Sequence, residues 1–383
     1  MNRNDFNKKY NIKTDSNSFK FSTNNSVSLL QLVGKPKKNI IEIIKRYFSN
    51  PYSVIALSIF LIILLMAIII PFTSPFAGDI PITNQSNFFN GNLPPIANPL
   101  KTQILTNSQR QLFIDIQNQI NIEGASLIIS EKLLGFNQWE ITYNAYELLS
   151  FTNSGQQFST ILGTTSSGFD IWTRSWSATI QSLLLAVLVA LINSIVGVSL
   201  GIYLGFNFGK PIDTFFERVL EVINSLPNLI WVLILVSIVG TDFFQLIIVL
   251  VIIGWSAPVA EARRFAILVK DLDFIKAAEA IGASKKRRIF MHLLPNIIGR
   301  LAISFVQRIP VIIFLVSSLS FLGFLTDPAN LNLGNILVQA LGDFSNNPWT
   351  LLLPSLLLLT ITLSLQFVAL GVHDAIDPQL RKV

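Results

Sequence analysis

The chain has 383 residues, of which 51% are hydrophobic and 13% charged, and its mean hydropathy is +0.55. This balance is too apolar for a soluble domain of that length and predicts a polytopic membrane protein. The lack of cysteine excludes disulfides, zinc-thiolate sites and cysteine nucleophiles, and the two histidines are too few for a metal cluster. The net charge of +6 would suit nucleic-acid binding, but its distribution along the chain favours another explanation.

The N-terminal arm, residues 1–50, is predicted to be cytoplasmic. Up to about Lys38 it is rich in Asn, Ser and Lys, and we predict no structure there. The stretch NIIEIIKRYF then places apolar residues at helical spacing, with Lys45 and Arg46 on the other side. This pattern predicts an amphipathic helix on the inner membrane surface, and the alternative is a cytosolic extension of the first span.

A spanning helix needs roughly 20 mostly apolar residues, because unpaired backbone groups are not tolerated in hydrocarbon. Six segments qualify or nearly so: 54–72, a helix within 175–209, one ending near 239, 243–260, about 296–325 and about 348–372. We therefore predict an all-α integral membrane protein with six transmembrane helices. Its parts are a first span at 51–74, an insert at 75–174, a core of five helices at 175–374 and a cytoplasmic tail at 375–383.

Basic residues orient these spans. The loop 261–300 holds nine Lys and Arg, whereas the turn at Thr241 and the segment 326–347 hold none. Cytoplasmic flanks of spans are enriched in Lys and Arg, so the loop and both termini are expected inside and the insert outside. The positive charge thus orients helices and requires no nucleic acid.

The insert between the first two spans mixes Asn, Gln, Ser and Pro with apolar patches such as LIIS and YELLSF. It is too patterned for a plain linker, so we predict a small folded extracellular subdomain. Two roles remain open for it: contact with a partner or ligand, or simple packing against the outer helix ends.

The cytoplasmic loop 261–300 contains the stretch FIKAAEAIGASKKRRIFMHLLPN. The spacing predicts a first short helix with an apolar face of Phe274, Ala277, Ala278 and Ile281. Gly282 would end it at a positive φ, and Ser284 would cap a second helix that Pro295 ends. The apolar side of that second helix comprises Ile289, Phe290, Leu293 and Leu294. A DNA-binding helix-turn-helix has a similar pattern, but spans tether this loop at both ends.

This loop resembles the EAA motif of ABC-importer permeases. The matching positions are Lys276, Ala277, Ala278, Gly282, Ile289, Leu294, Pro295 and Asn296. Three further segments resemble the same family in the same order: the stretch from Gly163 with Gly168, Asp170 and Arg174; LSFLG at 319–323 followed by Pro328, Leu333, Gly334 and Asn335; and DAIDPQLR from Asp374. Together they cover about 220 residues and are similar to the OppC/DppC branch of oligopeptide, dipeptide and nickel transporters.

The chain departs from the family pattern at several positions. Lys276 replaces the first Glu of the EAA motif, and Glu279 stands where many relatives carry Arg. These two positions share one helix face, so an exchanged charge pair is one interpretation. The remaining departures are Thr165, Phe169 and Val316.

The resemblance implies a type I ABC importer permease fold, working by alternating access. It also implies a second homologous permease subunit, two ATP-binding cassette subunits that hold ATP and Mg²⁺, and an extracellular substrate-binding protein. The chain itself is expected to bind no cofactor and to catalyse nothing, because its nearest approach to a phosphate loop, GFNFGKP at Gly205, lacks the spacing and the hydroxyl residue. Peptide is favoured over nickel, since no histidine or carboxylate cluster lies near the predicted pathway.

The loop residues are expected to couple the spans to a partner ATPase. Small side chains allow close approach, while Phe274 and Ile281 supply apolar anchors. The basic run 285–288 would meet lipid headgroups or acidic partner residues, or simply be solvated. The expected coupling residues are Phe274, Lys276, Ala277, Ala278, Glu279, Ile281, Gly282, Ala283, Ser284, Leu294 and Pro295.

Polar residues within spans are candidates for the translocation pathway. Arg308 lies about 12 Å along a helix from Arg300 and has Gln307 beside it, so it either lines the pathway or a subunit contact, or snorkels to the surface. Asn193 and Ser317 are candidates that also suit helix packing.

Two other classes of protein are alternatives to the importer subunit. A self-sufficient secondary transporter or channel would need buried carboxylates, and the predicted spans hold almost none. A membrane-tethered scaffold or DNA-binding sensor would not need the family signatures around the second and sixth spans.

Overall fold

The computed structural model describes residues 39–84, 86–120, 127–153, 155–327 and 330–376. The chain divides into two compact units, Met1–Lys45 and Arg46–Val383, and most of the described residues belong to the second. The predicted absence of structure up to Lys38, the matched Pro328 and most of the C-terminal signature lie outside the described residues.

The described ranges contain helices, one short π-helical segment and three strands. The helices are α1 Asn39–Ser49, α2 Pro51–Thr73, α3 Asn87–Asn90, α4 Asn107–Ile120, α5 Ala145–Thr152, α6 Ile171–Phe206, α7 Pro211–Asn224, α8 Asn228–Val239, α9 Phe243–Gly254, α10 Ser256–Lys270, α11 Asp273–Ala280, α12 Lys285–Arg287, α13 Leu294–Phe321, α14 Leu333–Asp343 and α15 Trp349–Ile376. The π-helical segment Arg288–Leu293 joins α12 to α13. The strands are β1 Leu100–Thr106, β2 Ile128–Gly135 and β3 Gln138–Asn144.

Within the described ranges, five helical stretches are long and apolar enough to cross a membrane. They are α2, α6, the continuous stretch Phe243–Lys270, the continuous stretch Lys285–Phe321, and α15. The predicted third span is instead the pair α7 and α8, bent by 83°, so six spans result only if this pair crosses as one. The bend falls at Pro227, which lacks a backbone N–H and disfavours helical geometry at the residue before it.

Helix α6 packs against α2, α10, α13 and α15. Three glycines four residues apart, Gly197, Gly201 and Gly205, face α10, and a Cβ on any of them would overlap backbone or side-chain atoms of that helix. Close approach of two backbones at small residues is the usual way that membrane helices gain packing contacts. The glycines therefore bring α6 against the helix that leads into the loop with the short helices α11 and α12.

The insert departs from the all-α prediction, because it contains a three-stranded antiparallel sheet with the order β1-β3-β2. In β3 every second residue faces inward, which buries Ile141 and Tyr143. The ring of Phe113 on α4 lies 4.8 Å from that of Tyr143, edge to face. The alternation in QWEITYN is the sequence signal that predicts this strand, and the insert has an apolar core of its own.

The second loop helix does not end at Pro295, contrary to the sequence prediction. The chain stays helical from Lys285 to Phe321, through the π-helical segment. In that segment the N–H of Leu294 donates to the carbonyl of Ile289, five residues earlier. A proline ring clashes with the carbonyl four residues before it, and widening the helix to π geometry relieves this clash.

Candidate coupling loop and translocation site

The turn between α11 and α12 is built as its sequence predicts. Gly282 has φ +83°, a conformation that a residue with a Cβ adopts only with strain. The Ser284 hydroxyl accepts a hydrogen bond from the backbone N–H of Arg287 at 3.4 Å and so caps α12. The two short helices therefore meet at a fixed angle rather than through a flexible link.

The apolar face of α11 differs from the predicted one. Ile275 is buried in a cluster with Ala266, Leu293 and other residues of the neighbouring helices, and Ala278 is also buried. Phe274 is 39% exposed and Ile281 86% exposed. The predicted face of Phe274, Ala277, Ala278 and Ile281 was therefore wrong in part, because tertiary packing turns Ile275 inward and leaves Phe274 outside.

The other predicted coupling residues divide in the same way. Most of them are exposed, as Phe274 and Ile281 are, whereas Ala278 is buried inside the protein. The exposed residues are Lys276, Ala277, Glu279, Gly282, Ser284 and Pro295, and Ala283 and Leu294 are half-buried.

The basic run is only partly open to a partner or to lipid. The Lys285 ammonium donates to Asn207 Oδ1 at 2.5 Å, and the Arg288 guanidinium pairs with Glu279 at 2.5 Å. Lys286 and Arg287 are exposed. Two of the four residues in the run, Lys285 and Arg288, therefore bind other side chains of this protein. The sequence did not predict this role for them.

A buried ion pair that sequence reasoning missed lies beside the loop. The side chain of Asp213 on α7 is 1% exposed and receives two hydrogen bonds from Arg263 on α10, at 2.6 and 2.9 Å. It also accepts from the backbone N–H of Gly209 at 3.1 Å. The pair joins the first half of the bent helix pair to the helix that enters the loop.

The predicted pathway residue Arg308 pairs with Glu261 on α10, from Nη2 to Oε2 at 2.7 Å. Both side chains are about four-fifths buried. The Ser304 hydroxyl donates to the other oxygen of Glu261. Glu261, at the start of the predicted loop, lies within the helical stretch Phe243–Lys270, which is one of the candidate spans.

Two of the four pathway candidates share one cavity. Asn193 and Arg308 line a cavity between α6, α8, α9, α10 and α13, together with Asn228. Gln307 is half-buried. Ser317 lines a different cavity and packs on Gly334, where an added Cβ would overlap the Ser317 backbone.

The segment that begins at Gly163 forms a dense polar junction at the start of α6. Arg174 is 1% exposed and donates to the carbonyl of Gly78 and to Gln339 on α14, both at 2.9 Å. Asp170 caps α6 by accepting from the N–H of Thr173 at 2.8 Å, and burial raises the pKa of its carboxyl. These residues hold the insert, α6 and α14 together, which gives the matched signature a structural purpose.

This arrangement defines a polytopic helical membrane protein with a loop of short helices between two of its candidate spans. Comparison with known proteins gives two family matches. Residues 197–382 match the model of the binding-protein-dependent transport system inner membrane component, and residues 40–95 match the N-terminal TM domain of oligopeptide transport permease C.

Individual relatives agree with these matches. The oligopeptide transport system permease protein OppC of Mycoplasma pneumoniae is 35% identical over 363 residues, covering 91% of this chain and 93% of the relative. OppC of Mycoplasma genitalium is 33% identical, covering 92% and 93%. The dipeptide transport system permease protein DppC of Lactococcus lactis is 28% identical over 171 residues, 45% of this chain and 50% of the relative.

The chain therefore belongs to the family of binding-protein-dependent transport system inner membrane components, in the OppC group. It is a multi-pass membrane protein and a permease subunit of an ABC transporter complex.

Proposed function

We propose that the chain is a non-catalytic permease subunit that moves oligopeptides or dipeptides into the cell by alternating access. ATP and Mg²⁺ bind to two partner ATP-binding cassette subunits, and a second homologous permease and an extracellular substrate-binding protein complete the importer. The names of these relatives concern oligopeptide and dipeptide transport, which supports peptide over nickel. Both termini and the short helices α11 and α12 with the turn between them are cytoplasmic and the insert is extracellular, as the basic residues indicate.

The observation that carries the coupling role is the mixed character of α11. One side carries Ile275, which is buried in the apolar cluster, and the buried Ala278, while Phe274 and Ile281 are exposed. A projection that is fixed to the spans on one side and apolar on the other can transmit rigid-body motion from an ATPase. The ion pairs Glu279–Arg288 and Asp213–Arg263 stiffen its attachment.

The test is co-purification and transport. The five-component complex, in proteoliposomes with the binding protein outside, should accumulate a labelled peptide only when ATP is present. Phe274→Asp and Ala277→Asp should abolish co-elution of the ATPases, whereas Lys286→Asp, also exposed, should leave it intact. Ala278→Asp is a poor probe because it would disrupt the buried side of the loop.

A self-sufficient transporter or channel is the second candidate, and the intramembrane carboxylate of Glu261 is the observation in its favour. Here the ATPases would be dispensable. Peptide flux through the isolated chain without ATP would support this candidate, and ATP-independent flux in the full complex would overturn the importer.

A further inference from the structure

The cavity that contains Arg308 lies well inside the spans. Arg308 is near the middle of α13, about 20 Å from either end at the usual helical rise. A cation at such depth is costly and is retained mainly where it serves a function or is paired. Its partner, Glu261, also lies in a span, so the pair is held away from both helix ends of α13.

The Arg308 guanidinium is only partly used. Within the described part of the chain it donates through Nη2 to one oxygen of Glu261, whereas a guanidinium has five N–H donors in a planar fork. The other Glu261 oxygen accepts from Ser304. The pair is thus a single-point contact, and the fork retains donors for a second carboxylate.

A second polar side chain in the same cavity has one atom without a hydrogen-bond partner among the described residues. Asn193 is 4% exposed, and its Nδ2 donates to the Leu250 carbonyl at 3.3 Å. Because that carbonyl only accepts, Oδ1 is the atom left over, and among the described residues it is buried with no hydrogen-bond partner. A buried amide oxygen without a donor costs free energy, and a ligand N–H would remove that cost.

We propose that Arg308 binds the C-terminal carboxylate of the transported peptide, which displaces Glu261, while Asn193 Oδ1 accepts an N–H of the peptide backbone. This inference rests on the proposed peptide import and adds the chemical group that the pathway recognises. Exchange of one carboxylate for another keeps the Arg308 cation neutralised throughout, so this cation is never left unpaired in the membrane. In the ligand-free state Glu261 occupies the site of the carboxylate, and Ser304 holds Glu261 when it is displaced. The apolar walls of Val189, Val232 and Ile312 leave side-chain recognition loose.

The experiment compares one peptide as free acid and as C-terminal amide in proteoliposomes that contain the complete importer and one binding protein. The measured quantity is the acid-to-amide ratio of ATP-dependent initial uptake rates. Each variant is compared with wild type, so that the selectivity of the binding protein cancels. Wild type should favour the acid, and Arg308→Gln should lower acid uptake by about ten-fold or more towards the amide rate.

Glu261→Gln removes the competitor without touching the recognising group. It should keep or raise the acid preference and lower the KM for the acid. Arg300→Gln, exposed and two turns earlier along the same helical stretch, is the matched control and should leave the ratio unchanged. If Arg308→Gln does not assemble, Arg308→Lys keeps the charge but loses the fork and should give an intermediate ratio.

A purely structural pair predicts a different result. Arg308→Gln and Glu261→Gln would then lower acid and amide uptake by the same factor, and the ratio would stay at the wild-type value; that result overturns the inference. Absence of ATP-dependent uptake of either peptide by the wild-type complex overturns the proposed import instead.

Discussion

Glu279 and Arg288 form an ion pair across the Gly282 turn, with Oε2 and Nη1 2.5 Å apart. Glu279 stands where relatives of the resembled family often carry Arg, and its carboxylate reaches the π-helical segment rather than Lys276. The structure thus shows an internal partner for Glu279 and leaves Lys276 exposed on α11. Lys276, like Lys286 and Arg287, is therefore exposed to contact with another subunit.

Glu279→Gln should loosen the turn without unfolding the protein. The Glu279 side chain is 60% exposed, and exposed ion pairs contribute at most about 1 kcal/mol, so the unfolding temperature should change little. Hydrogen exchange of peptides that cover α11 should accelerate, while Lys276→Gln leaves it unchanged. The double variant Glu279→Arg with Arg288→Glu should restore protection from exchange. Equal exchange in wild type and in all three variants would contradict a role for the ion pair.

Gly201→Ala should destabilise the protein by about 1–3 kcal/mol, the usual cost of overpacking. An added Cβ would overlap the Val259 carbonyl and the Ala262 side chain on α10. Gly342→Ala is the control, because a Cβ there meets nothing within 4 Å and alanine favours helix. Thermal unfolding in detergent measures both, and a Gly201 variant as stable as the Gly342 variant would refute close α6–α10 packing.

Asp213→Asn should cost about 3 kcal/mol or more, because it leaves Arg263 without its buried carboxylate. Among the described residues, the acidic partner that Arg263 then retains is Glu217, whose side chain is 45% exposed. Glu221→Gln breaks the exposed pair with Arg218 and should leave stability unchanged. Thermal unfolding compares the two variants, and equal stability would show that the Asp213 pair contributes nothing to the attachment of α7.

The insert should become more stable as pH rises from about 8. Burial lowers the pKa of Lys101 to about 8, whereas an unfolded lysine titrates near 10.5. Between these values the unfolded state binds more protons, so the free energy of unfolding increases with pH and levels off above about 10.5. The opening free energy of β1 and β3, from hydrogen exchange corrected for intrinsic rates, should show this rise.

Lys101→Met is the matched variant for this measurement. It lacks the titrating group, so its opening free energy should stay flat between pH 8 and 9.5. A flat profile in wild type, or the same rise in both proteins, would contradict burial of the Lys101 ammonium beside the Gly91 carbonyl, to which it donates at 2.9 Å.

Local features of the sequence predicted local structure well. The apolar run at 54–72 corresponds to α2, and the glycine and serine of the loop adopt the predicted positive φ and cap. The sequence of β3 alternates between inward-facing and outward-facing residues, but the prediction did not include this signal. The sheet of the insert was therefore not predicted. Pro295 shows the limit of such rules, because a π-helical turn allowed the helix to continue.

Sequence patterns were enough to predict the membrane class, the approximate spans, the turn of the loop and the family resemblance. These depend on hydropathy and on backbone preferences that act over a few residues. Which side of α11 faces outward depends on tertiary packing. The ion pairs of Glu261 with Arg308 and of Asp213 with Arg263 also become evident only in the folded structure. Each of these pairs joins separate helices, so it depends on how those helices pack and rotate, which no local pattern specifies.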